Sequence, residues 1–148
     1  MKKILILIIV ISITLVSIVF VKYADYSRKK TQIKSINNEY LAYQNSDIKI
    51  NTIVSLMNKA IEQNKKNNIE QDENNEFKEN DTDSIKIYLK TESNNETVKI
   101  PMERLILNEK AGVEKVEYAF SDLIFKAVDI EYHSKTGQIK SVTFEQKK

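Results

Sequence analysis

The chain contains no cysteine, and this absence excludes several kinds of chemistry at once. Without a thiol there is no disulfide, no thiolate metal site, no cysteine nucleophile and no lipid-modified amino-terminal cysteine. The single histidine excludes a metal site built from several imidazoles. Two glycines and one proline cannot supply a glycine-rich loop for binding phosphate.

The charge of the chain is balanced, which argues against a nucleic-acid partner. There are 23 Lys and Arg residues and 21 Asp and Glu residues, and the formal net charge is +2. Domains that bind DNA or RNA concentrate basic residues on one surface, whereas here both signs are interspersed. The length of 148 residues allows a membrane segment and one domain of ordinary size.

The longest apolar run, residues 4–21, carries no charged side chain. As a helix it is about 27 Å long, close to the thickness of the hydrocarbon layer of a bilayer. A cleaved secretory leader has a shorter apolar core of about 7–15 residues that ends in small residues. Here Lys22 occupies a position where cleavage after Ala24 needs a small residue. The run therefore predicts an uncleaved transmembrane signal anchor over residues 1–22. A poor but cleavable leader is the alternative.

The charges that flank the apolar run give opposite indications of membrane orientation. Two basic residues, Lys2 and Lys3, precede the run, and four lie after it: Lys22, Arg28, Lys29 and Lys30. Counting these charges places the C-terminal domain in the cytoplasm. A basic start directly before an apolar core is instead the usual form of a signal anchor that exports the domain on its C-terminal side. We expect a single-pass protein of the cell membrane whose soluble domain is extracytoplasmic.

Helical periodicity continues after the apolar run. Residues 23–46 contain neither Gly nor Pro, and Ile33, Ile36 and Tyr40 recur at helical spacing. This pattern predicts a stalk helix over residues 23–46 and leaves residues 47–148 as the domain.

The first part of that domain predicts an amphipathic helix and then a loop. An apolar stripe at helical spacing marks residues 52–66 as the helix, with Asn51 or Thr52 as its cap. The stripe consists of Ile53, Leu56, Met57, Ala60 and Ile61. Residues 67–83 are acidic and rich in Asn, a composition that predicts a mobile loop.

Two hairpins are predicted after the loop, because apolar and polar residues alternate on both sides of two turn sequences. In the first hairpin, the turn is expected at "ESNN" (residues 92–95), with Leu89 opposite Val98 and Ile87 opposite Ile100. The predicted fold is α+β: an N-terminal transmembrane helix and a stalk helix, then a small antiparallel sheet. That sheet has about four strands in two hairpins and is covered by the amphipathic helix.

The second hairpin has the clearest alternation. Gly137 is expected in a left-handed conformation in its turn. The predicted opposite pairs are Val128 with Phe144, Ile130 with Val142, and Tyr132 with Lys140. The first two pairs are expected to form one buried cluster under the helix, because they share a face of the strands. His133 falls on the opposite face and is expected to be exposed.

No group of residues in the sequence forms a catalytic constellation. Ser121, Asp122 and His133 are the only candidates for a hydroxyl nucleophile and its base, and no nucleophile-elbow motif surrounds the serine. Asp81 and Asp83 have the spacing of two calcium ligands, but the Gly and the closing Glu of a calcium loop are missing. We expect no catalytic, cofactor-binding or metal-binding residue, and we expect that the chain is not an enzyme.

Three stretches carry a resemblance to known proteins: "NNEYLAYQN", "IVSLMNKAIEQN" and "IEYHSKTGQIKSVTFEQ". They are similar to segments of small single-span membrane proteins of low-GC Gram-positive bacteria, and this resemblance implies no activity. The order of membrane helix, stalk and antiparallel sheet more distantly resembles pilins and pseudopilins. The chain departs from their processing motif, because no Gly precedes the apolar run and no Glu lies within it.

The resemblances and the predicted anchor together imply a membrane-anchored, non-enzymatic structural or interaction protein. A more specific form of this hypothesis is a pilin-like subunit or accessory protein. The alternative is a membrane-tethered sensory or ligand-binding module. The expected partners are the membrane, through one N-terminal span, and proteins or further copies of the chain.

Overall fold

The computed structural model describes residues 2–93, 96–106 and 112–147. The chain divides into two compact units, Met1–Ser35 and Ile36–Lys148. The first unit is helical, and the second is an α+β unit, which confirms the predicted class.

The first unit is formed by most of helix α1 (Lys2–Leu41). Large apolar side chains such as Val16 and Phe20 are exposed on its surface. The hydroxyls of Thr14 and Ser17 donate to the carbonyl oxygens four residues earlier, so both polar groups are satisfied within the helix. Among the described residues, α1 is the one helix that is long and apolar enough to cross a membrane. The helix runs without a break across the predicted boundary between anchor and stalk.

The second unit begins with the end of α1, and its described residues form five strands and three further helices. They are, in chain order, β1 (Ile48–Lys49), α2 (Ile50–Lys66), β2 (Lys86–Ser93), β3 (Glu96–Pro101), α3 (Met102–Ile106), α4 (Gly112–Ala119), β4 (Ile124–Tyr132) and β5 (Ile139–Gln146). Helix α2 agrees with the predicted amphipathic helix. The expected cap at Asn51 or Thr52 is wrong, because Lys49 is the N-cap and makes no side-chain cap hydrogen bond.

The sheet is mixed and has five strands, in the order β1-β4-β5-β2-β3. The prediction of about four strands in an antiparallel sheet is therefore wrong in strand number and in direction. Strand β1 adds a short fifth strand beside β4, and β2 runs parallel to β5 in the middle of the sheet. Parallel neighbours need a long connection, which α3 and α4 contribute here. Residue alternation shows which face of a strand is buried, but it does not show which strand lies beside it.

The first hairpin forms with a different register from the predicted one. Leu89 lies opposite Ile100, and Thr91 opposite Val98, so the partners are shifted by two residues. The shift keeps the same side chains on the same face, because strand side chains alternate with period two. Its cause is a shorter turn than predicted, since β2 continues to Ser93. Residues 94–95 of the predicted turn lie outside the described residues.

The second hairpin has the predicted turn and part of the predicted register. Gly137 has a φ of 69°, and Ile130 lies opposite Val142 as expected. The expected pair of Val128 and Phe144 is wrong, because a β-bulge after Ala127 places Ala127 opposite Phe144 instead. The extra residue leaves Val128 51% exposed. A second irregularity places Tyr132 opposite Ile139 rather than Lys140.

One cluster of buried apolar side chains joins α2 to the sheet. Met57 and Ala60 of α2 belong to it, together with Val142 and Phe144 of β5. These side chains are fully buried, so the space between helix and sheet is filled. The cluster also contains Phe77, from the segment predicted as a mobile loop.

Candidate functional site

His133 is buried, with 3% of its surface exposed, so its expected position on the exposed face is wrong. Its ring Nε2 lies 2.7 Å from the carbonyl oxygen of Ser84, just before β2. Its backbone N–H donates to Gln138 O at 2.8 Å, and its own carbonyl accepts from Gly137 N at 2.8 Å. Strand β4 ends at Tyr132, so the alternation that predicted an exposed His133 no longer applies at this position.

The candidate nucleophile set is not assembled. Ser121 and Asp122 are exposed in the turn before β4, whereas His133 lies just beyond the other end of that strand. A strand of nine residues separates its two ends by about 30 Å. His133 therefore has no geometric relation to the serine and the aspartate.

The two candidate calcium ligands have other partners. Asp81 Oδ2 lies 2.6 Å from Lys135 Nζ, and this hydrogen bond and charge hold the pKa of Asp81 below its usual range. Asp83 Oδ1 accepts hydrogen bonds from Asn80 Nδ2 at 2.6 Å and from Thr82 Oγ1 at 2.9 Å. No group of three or more potential metal ligands comes together within the described part of the chain.

Two asparagines bind backbone groups at the starts of the two parallel strands. Asn64 of α2 donates through Nδ2 to Ile85 O at 2.8 Å and accepts from Ile85 N through Oδ1 at 2.8 Å. Asn37 of α1 likewise donates to Gly137 O and accepts from Ile139 N, each at 2.8 Å. A side-chain amide carries a donor and an acceptor side by side, so each asparagine substitutes for a neighbouring strand.

These asparagine clamps were not predicted from the sequence, although one of them leaves a signal there. Asn64 comes three residues after Ile61, so it lies on the apolar face of α2. A polar residue on such a face needs a hydrogen-bonding partner when it is buried. The sequence offers no way to identify Ile85 as that partner.

A buried ion pair lies at the junction of β2 and α3. Lys86 Nζ is 3.0 Å from Glu103 Oε1, and the two side chains are 6% and 0% exposed. The same carboxylate oxygen accepts the backbone N–H of Phe77 at 3.1 Å. Glu103 Oε2 has no hydrogen-bond partner among the described residues. Burying two charges is costly unless their hydrogen bonds are complete, which makes this incompletely satisfied carboxylate a candidate binding group.

A polar groove of about 330 Å³ lies between the end of α1 and α2. Lys59 pairs with Glu39 across it, and this interaction raises the pKa of the Lys59 ammonium above its usual range. Burial raises the pKa of Tyr40, which also lines the groove, far above the ordinary tyrosine value. The groove offers hydrogen-bonding groups to a polar ligand, and two of its four charged side chains, Lys59 and Glu39, are already paired with each other.

The burial of His133 leads to a stability prediction. Replacing His133 by alanine is expected to lower the free energy of unfolding by about 1–3 kcal/mol, because the buried Ser84 carbonyl loses its partner. Urea unfolding of the full chain in detergent micelles, monitored by near-ultraviolet circular dichroism of the tyrosines, measures this loss. The control is Ser134→Ala at the exposed neighbouring position, expected to change stability by less than about 0.5 kcal/mol. Equal effects of the two substitutions would show that the His133 ring contributes nothing through Ser84.

Three comparisons with known proteins accompany this geometry. The chain matches no protein-family model, no curated protein and no solved structure.

Proposed function

We propose that the chain is a membrane-anchored, non-enzymatic structural or interaction protein that presents its second unit to protein partners. The observation that carries the proposal is helix α1, whose apolar side chains are exposed over a length sufficient to span a bilayer. A continuous surface of exposed apolar side chains is unfavourable in water, and its transfer into lipid is favourable. The next unit of the chain is a folded domain.

The filled space between α2 and the sheet supports an interaction role over ligand binding inside the fold. Ligand sites are usually concave cavities with a few converging polar groups. Here the region between helix and sheet holds fully buried side chains such as Met57, Val142 and Phe144. The surface of the second unit is therefore the part available to a partner.

The second candidate function is a membrane-tethered sensory or ligand-binding module. The groove beside Tyr40 favours it, because Gln63 and the Lys59–Glu39 pair face a cavity of about 330 Å³. We place it second, because Lys59 and Glu39, two of the charged side chains in this groove, already neutralise each other.

The proposed location is the cell membrane, with the second unit on the extracytoplasmic side. The support for this side is the basic start, Lys2 and Lys3, directly before the apolar run. The narrower proposal of a pilin-like subunit or accessory rests on the order of elements, an apolar helix before an α+β unit.

The anchor leads to an expected result for the intact protein. The chain isolated from membranes is expected to keep its full length, because Lys22 disfavours cleavage after Ala24. Intact-mass spectrometry of the membrane fraction measures this directly. A mature chain that begins near residue 25 would contradict the anchor and would identify the apolar run as a leader.

A further inference from the structure

The segment between α2 and β2 includes residues 70–83, which begin with a small hairpin at residues 70–78, and we call residues 70–83 the acidic hairpin. Gln71 and Phe77 form an antiparallel bridge, and Lys78 N donates to Glu70 O at 2.8 Å. These hydrogen bonds lie within the segment itself. The hairpin therefore has a local structure of its own, and a limited set of contacts joins it to the rest of the second unit.

The main contact is the side chain of Phe77, which is inserted into the apolar core and is 2% exposed. Its backbone N–H donates to Glu103 Oε1, which also accepts from Lys86 Nζ. We call the apolar site of Phe77, together with Lys86 and Glu103, the Phe77 socket. The socket combines the apolar pocket that holds the Phe77 ring with a buried hydrogen-bond acceptor. That acceptor, Glu103 Oε2, has no partner among the described residues.

The remaining contacts around this socket are hydrogen bonds and ion pairs. Thr136 Oγ1 donates to Thr82 O, and Asn67 Nδ2 and Gln138 Nε2 both donate to Asp83 O. Arg104 Nε lies 2.7 Å from Glu76 Oε1, Lys140 Nζ lies 2.8 Å from Glu79 Oε2, and Lys135 Nζ lies 2.6 Å from Asp81 Oδ2. We call Arg104, Lys135 and Lys140 the basic rim. Each rim residue comes from a different part of the fold: α3, the final turn and β5. The rim and the socket together therefore form a composite site on the folded unit.

We propose that the Phe77 socket and the basic rim form a peptide-binding site, which the acidic hairpin occupies in cis. A protein partner that carries an acidic segment with one aromatic side chain displaces the hairpin from it. The hairpin itself shows the chemistry that fits: residues 70–83 contain seven acidic residues, one lysine and a single aromatic, Phe77. The proposal deepens the interaction role proposed above and rests on it.

Two physical arguments support a single aromatic anchor within an acidic segment. Aromatic side chains that fill a desolvated pocket contribute most of the binding energy at protein interfaces. Charged pairs at a rim mainly determine the choice of partner and the rate of association, and salt weakens them. Here Phe77 fills the pocket, the Lys135–Asp81 pair is exposed, and the Lys140–Glu79 pair is partly exposed. A partner peptide thus needs the aromatic for affinity and the carboxylates for selectivity.

The test uses a labelled peptide of residues 70–83 and the full chain in detergent micelles. Phe77→Ala in the chain removes the cis anchor, so this variant is expected to bind the peptide saturably. The unsubstituted chain is expected to bind at least about tenfold more weakly, because the tethered hairpin competes at an effective concentration in the millimolar range. A peptide that carries Phe77→Ala is the matched control and is expected not to bind. Lys140→Ala in the Phe77→Ala chain is expected to weaken peptide binding about threefold.

Three results would overturn the proposal. The first is that the peptide binds neither chain, and the second is that it binds both equally. The third is that the unsubstituted chain forms dimers by exchanging hairpins while the peptide does not bind, because the occupant is then a second copy. None of these results bears on the anchor, which intact mass tests separately.

A second measurement decides the matter if the Phe77→Ala chain does not fold. Hydrogen exchange of the unsubstituted chain is measured with the peptide at about ten millimolar, above the effective concentration of the tethered hairpin. Faster exchange at Phe77 and Lys78 with the unsubstituted peptide, and not with its Phe77→Ala form, shows displacement. Unchanged exchange at both residues overturns the proposal.

Discussion

Replacing Phe144 by alanine is expected to lower the free energy of unfolding by about 3–5 kcal/mol, the usual loss for a buried phenylalanine. Phe144 is fully buried on β5, between Leu89 of β2 and Ala127 of β4. Because β5 is the middle strand of the sheet, the cavity left by the ring has few ways to close. The loss is a large share of the roughly 5–15 kcal/mol that stabilises an ordinary domain.

The matched control for Phe144→Ala is Val128→Ala on the neighbouring strand. Val128 is displaced by the bulge and is exposed, so its truncation is expected to cost less than about 0.5 kcal/mol. Urea unfolding of the full chain in micelles compares the two variants under the same conditions. A cost at Val128 as large as that at Phe144 would restore the pairing expected from simple alternation and contradict the bulge.

Replacing Asn64 by leucine is expected to lower the free energy of unfolding by about 2–5 kcal/mol. The leucine has a similar size, but it leaves both the N–H and the carbonyl of Ile85 without their partner. Asn64 and Ile85 are fully buried, so water does not replace the lost hydrogen bonds. Loss of this clamp also frees the start of β2, one of the two parallel strands.

Asn58→Leu on the same helix is the control for the clamp. Asn58 is half-buried, and its replacement is expected to cost less than about 1 kcal/mol. Urea unfolding gives the free energies, and hydrogen exchange of the Ile85 amide locates the effect. If Asn64→Leu is as mild as Asn58→Leu and the Ile85 amide stays protected, the clamp does not stabilise the fold.

Local patterns in the sequence predict the parts of this fold that depend on neighbouring residues. The stripe from Ile53 to Ile61 predicts helix α2 and its buried face. The alternation in β4 and β5 predicts the pairing of Ile130 with Val142, and Gly137 predicts the turn between them. In each case the information lies within a few residues of the element that it specifies.

The parts that the sequence did not predict depend on contacts between distant segments. The parallel pairing of β2 with β5 arises after α3 and α4 have crossed the sheet, and no alternation records that path. The bulge at Val128 depends on how β4 fits against β5. His133 has the appearance of an exposed residue until Ser84 is brought against it.

The candidate site was missed for a related reason. Phe77 lies in a polar, acidic stretch whose composition indicates a solvated loop. Glu103 is a charged residue in the first turn of the short helix α3, a position at which an acidic side chain is usually exposed. Only the fold brings Glu103 into contact with Phe77 and Lys86, where it accepts the Phe77 N–H and pairs with the Lys86 ammonium. A lone aromatic within an acidic segment was the single available signal, and by itself it does not identify its socket.

Alkaline carbonate extraction of membranes tests most directly whether α1 anchors the chain. The full chain is expected to stay in the membrane pellet, because the proposed anchor places the exposed apolar side chains of α1 in lipid. The matched control lacks residues 4–21 and is expected in the supernatant. Release of the full chain by carbonate, together with the control, would contradict an anchored protein and would remove the basis of the proposed function.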